Sequence, residues 1–147
     1  MKLKAKKGFT LIELLLAVAL ISLIAGIGAP VYQVLQVRND LDVAANTVTQ
    51  ALRRARALSQ AVDGDASWGV AIQSGSIALF KGSSFSGRDT SYDEVFDMSQ
   101  SITPSGVLEI VFAKFSGIPQ AIGTIILSVS PNEARTITIN EKGTVSY

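Results

Sequence analysis

The 147-residue chain contains neither cysteine nor histidine. Without cysteine there is no disulfide, no thiolate nucleophile and no zinc–cysteine site, so the fold must be held by its core. Without histidine the usual general base and the commonest transition-metal ligand are missing. A strong overall charge is lacking too, since 13 basic residues face 12 acidic ones for a net of +1. Four of the basic residues, Lys2, Lys4, Lys6 and Lys7, crowd the N-terminus, and without them 9 basic residues stand against 12 acidic, a balance of −3. A body of that sign has no general affinity for nucleic acid or anionic lipid. No Ser/His/Asp set can form, and the GSSFSG stretch at 82–87 lacks the lysine and spacing of a phosphate-binding loop. These absences argue against an enzyme: no catalytic residue, no metal ligand set and no cofactor is expected. There is chain enough for one domain but not for two ordinary ones.

What is present is an uneven distribution of apolar residues. Behind the basic stretch that ends at Lys7 and Gly8, the chain is nearly all apolar from Leu14 to Val31, interrupted by Ser22, Gly26, Gly28 and Pro30. The 21 residues from Phe9 to Ala29 would span roughly 31 Å as a helix, the thickness of a bilayer's hydrocarbon. The flanking lysines predict a cytoplasmic N-terminus, with the rest of the chain on the other side. Three readings compete. A secretory signal peptide would have a shorter apolar region, and its best cut, after Ala29, is followed by Pro30. A plain signal anchor fits the length but leaves Glu13 unexplained, because an ionisable group inside a membrane segment is costly and usually marks a function.

The third reading accounts for Glu13. Residues 7–13, KGFTLIE, together with the basic leader, the apolar run and Pro30, resemble the processing signature of type IV prepilins and type II secretion pseudopilins. The resemblance implies that a prepilin peptidase cuts between Gly8 and Phe9 and methylates the new amine of Phe9. Glu13 is then the fifth residue of the mature chain and Pro30 the twenty-second, as in the family. It implies also a filament in which the Glu13 carboxylate neutralises the terminal amine of a neighbouring subunit and sets the axial offset. Buried ion pairs stabilise poorly but specify register well. The alternative is that Glu13 reaches back to the membrane interface from one turn inside. Pro30, close to Gly26 and Gly28, implies either a simple kink or a stretch that melts on assembly.

Past Val31 the pattern becomes amphipathic. Leu41, Ala44, Ala45, Val48, Leu52, Ala55, Ala61 and Val62 recur at helical spacing, with Asn39, Asp40, Asp42, Arg53, Arg54 and Arg56 on the other face. The spacing predicts a helix from residue 9 or 10 to 62, stopped at Gly64. From there the chain reads as strands: Trp68–Gln73 and Ser76–Lys81 joined at Ser74–Gly75, a loop over 82–94, and a strand through Val95, Phe96, Met98 and Ile102. Pro104–Ser105–Gly106 reads as its stop. Val107–Phe112, Thr124–Val129, Ala134–Asn140 and Thr144–Tyr147 follow, with turns at Pro131–Asn132 and Glu141–Lys142–Gly143. Val70, Ile72, Phe112, Ile126 and Ile137 are the candidate core of the sheet.

The expectation is an α+β pilin fold, a long N-terminal helix packed on a C-terminal antiparallel sheet. It divides into a leader (1–8), a transmembrane or filament-core helix (9–31), an amphipathic helix (32–63) and a β domain (64–147). The AANTVTQALRRARALSQ helix, the WGVAI strand, IVFAKFSGIP and the terminal RTITINEKGTVSY loosely resemble the GspH/FimT-type minor pseudopilins. Some members of that branch bind DNA through a basic C-terminal tail. Here the tail offers only Arg135 and Lys142 among Glu133 and Glu141, and Arg53, Arg54 and Arg56, which could contact DNA or an acidic partner, read more readily as a solvated helix face. Asp89, Asp93 and Glu94, or Asp63 and Asp65, are acidic but have no calcium-loop spacing. The expected partners are a prepilin peptidase, the inner membrane before assembly and other pilin-like subunits, with nucleic acid as the alternative. The expected location is the bacterial inner membrane, as a single-pass protein, and then a periplasmic or surface filament.

Overall fold

The computed structural model describes residues 8–130 and 133–147, apart from the side chains of residues 27–31 and 33. Most of the basic leader, the Pro131–Asn132 turn and the Pro30 side chain lie outside the described residues. The architecture is α+β: one helix, α1 (Leu11–Gln60), precedes antiparallel strands. Two compact units divide the chain, Met1–Gln36 and Val37–Tyr147.

In the second unit, Leu41, Ala44, Ala45, Val48, Ala51, Leu52 and Ala55 form the buried stripe of α1, because residues three and four apart share a helix face. The helix ends at Gln60 rather than 62. Val62 takes a left-handed backbone, φ 58°, ahead of the 3-10 turn Asp63–Asp65. The early stop has a visible cause. The Ser59 carbonyl accepts from the N–H groups of both Val62 and Phe115, and the buried Ser59 hydroxyl accepts from the Trp68 N–H at 2.9 Å. A free helix-end carbonyl is thereby satisfied from the loop at Phe115.

The strands are β1 (Trp68–Gln73), β2 (Ser76–Lys81), β3 (Asp89–Asp97), β4 (Thr103–Gly106), β5 (Glu109–Phe112), β6 (Gly123–Ser130), β7 (Glu133–Ile139) and β8 (Val145–Ser146). They form two antiparallel sheets, ordered β3-β2-β1-β5 and β4-β6-β7-β8, where the sequence pattern suggested one. The hairpin at Ser74–Gly75 forms as predicted, with Gln73 opposite Ser76. The main core joins the α1 stripe to Val70, Ile72, Leu79, Ile110 and Phe112 of the first sheet and to Ile125, Leu127 and Ile137 of the second.

Four strand expectations are corrected. Residues 89–94 are not loop but the first part of β3, polar because β3 is an edge strand whose ladder to β2 needs only backbone. Met98 and Ile102, expected in that strand, lie beyond its end and are buried from irregular chain. Pro104–Gly106 is not a stop but most of β4, where the missing proline N–H is tolerated because β4 too is an edge. Ile126 is not core: it is 37% exposed while Ile125 is fully buried opposite Ile137. Side chains alternate along a strand, so with Ile125 and Leu127 inward Ile126 must face out.

β1 lacks alternation for a different reason. Its second face meets a smaller cluster, Ala71, Phe80 and Val111, roofed by Phe85 from the 82–88 loop. Phe80 and Phe85 meet edge-to-face at 5.5 Å, and the Arg88 guanidinium lies 3.7 Å above the Phe85 ring. Gly69 is required opposite Phe80, whose ring fills the space a β-carbon would take.

Candidate functional site

The N-terminal constellation starts in non-helical chain. Gly8, Phe9 and Thr10 precede α1, and Phe9 is 82% exposed. Thr10 caps the helix: its hydroxyl accepts the Glu13 N–H at 3.3 Å, and its carbonyl accepts the Leu14 N–H at 3.2 Å. Thr10 and Glu13 have the spacing of a capping box, a signal in TLIE that the sequence reading passed over. Glu13 is exposed in the first turn of α1, where a carboxylate favours the positive end of the helix dipole. Nothing lies within 4 Å of where a Gly8 β-carbon would sit, and the same holds at Gly26. Neither glycine is therefore demanded by contacts among the described residues.

From Leu11 to Ile24 every large aliphatic side chain is 55–78% exposed. Because Leu14, Leu15 and Leu16 point in successive directions about 100° apart, this apolar surface surrounds the helix. Among the described residues no helix is long and apolar enough to cross a membrane. The expected 9–31 segment runs on through residues 27–31, whose side chains lie outside the described residues. Pro30 falls within the helical backbone of α1.

The arginines expected on a solvated face are tethered. Arg54 pairs with Glu94 of β3 at 2.6 Å, Arg53 donates to the Val145 carbonyl at 3.4 Å, and Arg56 donates to the Gly143 carbonyl at 3.1 Å. Adjacent arginines thus diverge around α1, one to each sheet. Arg135 does not join them. It donates to Asp42 at 2.6 Å, and the Tyr147 hydroxyl donates to the same carboxylate oxygen at 3.0 Å. The Arg135 hydrogen bond, then that of Tyr147, holds the Asp42 carboxyl below its ordinary value. Burial and then the Asp42 bond push the Tyr147 phenol up. No spacing rule could have found a group whose members are 93 and 105 residues apart. The acidic clusters are also in use: Asp93 pairs with Arg88 at 2.7 Å, Asp65 with Lys114, and Asp89 accepts from the Ser91 N–H.

A family described as "Prokaryotic N-terminal methylation motif" matches residues 3–29. Two proteins of Pseudomonas aeruginosa, each named fimbrial protein, are 38% identical to this chain over 109 residues. That alignment covers 74% of this chain and 60% of the relatives, so the chain spans less than two thirds of their length. No solved structure matches. The methylation motif and the fimbrial likeness, carried on a helix-first α+β fold, support a type IV pilin-like family for this chain.

Proposed function

We propose that this chain is a structural subunit of a type IV pilus-like or type II secretion filament, not an enzyme. A prepilin peptidase cuts it between Gly8 and Phe9 and methylates the Phe9 amine. The observation that carries this reading is the apolar surface of Leu11–Ile24, exposed around the whole helix. A surface of that kind is stable in water only when covered, first by the inner membrane and then by the same segment of neighbouring subunits. The exposure of Glu13 one turn into α1 supports its pairing with a neighbour's terminal amine. Pro30 belongs to the same packing segment, and the uncrowded Gly26 suits close approach by another helix. The division into a leader (1–8), core helix (9–31), amphipathic helix (32–63) and β domain (64–147) follows from this use.

The Gly8–Phe9 bond lies in exposed, non-helical chain just before the cap, which suits a protease that needs extended substrate. Among the described residues nothing packs where a Gly8 β-carbon would sit, which supports reading the glycine as a requirement of the peptidase. The DNA-binding alternative loses support from the tethers, since Arg54 and Arg135 already have carboxylate partners.

The test is the mass and N-terminal sequence of the full chain after co-expression with a prepilin peptidase, beside Gly8→Ala. A product beginning at methylated Phe9, with the variant poorly processed, is expected. A product beginning at Pro30, or an uncut chain, would sink the proposal.

A further inference from the structure

The two sides of the amphipathic part of α1 differ in charge and in shape. On one side lies β3, nine residues long and the outermost strand of its sheet. The opposite edge of that sheet, β5, is already bridged by Pro119 and by the Gln120 N–H on the Val111 carbonyl. In the other sheet the outer strands are short, four residues in β4 and two in β8. Two hollows of about 180 and 140 Å³ open between α1 and β3. The first is flanked by Asp40, Val43 and Asp97, the second by Thr47, Gln50, Phe96 and Arg54, the last paired with Glu94.

Carboxylates dominate this side. Asp93 and Glu94 are neutralised internally by Arg88 and Arg54, but among the described residues Asp40, Asp89 and Asp97 have no cationic partner. On the other side of α1, Arg53 and Arg56 reach only the carbonyls of Val145 and Gly143. Lys142 is exposed in the adjoining turn, and among the described residues none of these three cations pairs with a carboxylate. Glu141 is the acid beside them in the chain.

An open edge strand invites pairing with another chain, and acidic side chains on it discourage pairing with its own copy. Two β3 edges brought together would oppose Asp89 and Asp97 to their equivalents. A basic surface is admitted instead, and this chain carries one on the far side of the same helix. We infer that the α1–β3 side of one copy receives the Arg53–Arg56–Lys142 side of a second copy. Such a contact uses two different patches, so it does not close on itself and repeats from copy to copy as an open polymer. It presupposes the assembly proposed above but not the Glu13 pairing.

The chain lacks cysteine, which makes the contact directly testable. Two differently tagged full-length chains, one Asp97→Cys and one Lys142→Cys, are co-expressed with a prepilin peptidase and treated with a short bis-maleimide. A mixed cross-linked dimer is expected, with none from two Asp97→Cys chains. The band should be lost when Asp40→Lys is added to the first chain and recovered when Arg53→Glu is added to the second. No mixed dimer, or an equal one from two Asp97→Cys chains, overturns the inference. Sheared filaments are scored in the same cells. Filaments without the cross-link would overturn this contact and leave the assembly reading standing, while the cross-link without filaments would support the contact and count against that reading.

Discussion

At Gly106 the backbone sits at φ +87°, and a β-carbon would collide with the Thr124 carbonyl oxygen of the neighbouring strand β6. Both the left-handed conformation and the collision oppose any side chain. Gly106→Ala should cost about 2–3 kcal/mol, read as a fall in the urea midpoint of the detergent-solubilised protein; an unchanged midpoint would refute the close approach. Asp42 makes a pH-dependent contribution. Its carboxyl, held by Arg135 and then Tyr147, titrates below its ordinary 3.8. A depressed folded pKa adds stability that is present above the unfolded pKa and lost as pH falls through the folded one. Asp42→Asn should therefore be less stable than the parent at about pH 7, with a gap that narrows by about pH 3. Urea titrations at the two pH values check this, and a constant gap would be evidence against it. The exposed Arg54–Glu94 pair, with side chains 55% and 40% accessible, contributes at most about 1 kcal/mol.

At the scale of elements, β6 offers the sharpest test. Ile125 and Ile126 are the same residue type, adjacent in one strand, with only Ile125 buried. Ile125→Ala should cost about 3 kcal/mol through the cavity it leaves; Ile126→Ala should cost less than about 1 kcal/mol. Thermal melts of the two variants would expose a wrong register if the order reversed. On α1, Ala45 and Ala55 are completely buried against the sheets. Ala45→Leu should destabilise by about 1–3 kcal/mol through overpacking, and a neutral result would mean the helix can stand away from the sheets.

At the scale of the whole molecule, magnitude separates the roles of Glu13. As a first-turn carboxylate it stabilises α1 by about 0.3–1 kcal/mol, too little for its loss to unfold the protein. Glu13→Ala should leave cleavage after Gly8 intact and abolish sheared filaments; normal filaments from the variant would reduce Glu13 to its local role. The arginines make the complementary point: Arg54, part of one basic run in the sequence, is neutralised by Glu94, whereas Arg53 and Arg56 donate only to the carbonyls of Val145 and Gly143 and keep their charge.

Local pattern made the helix, the β1–β2 hairpin and the N-terminal methylation motif readable. The buried alanines repeat at helical spacing, Ser74–Gly75 is a turn of two residues, and KGFTLIE is contiguous. Short-range rules apply to all three, since their partners lie within a few residues. The tertiary structure alone decided what depends on distant partners. It split one expected sheet into two and turned polar residues 89–94 into an edge strand. It exchanged Ile126 for Ile125 in the core, because in a run of aliphatics only the pairing with Ile137 selects which face is inward. It also stopped α1 at Gln60 through contacts to Trp68 and Phe115, and it brought Asp42 of α1 together with Arg135 and Tyr147 from the C-terminal end of the chain. Periodicity carries the direction of a side chain relative to its neighbours in sequence; what that direction meets is set only when the chain closes on itself.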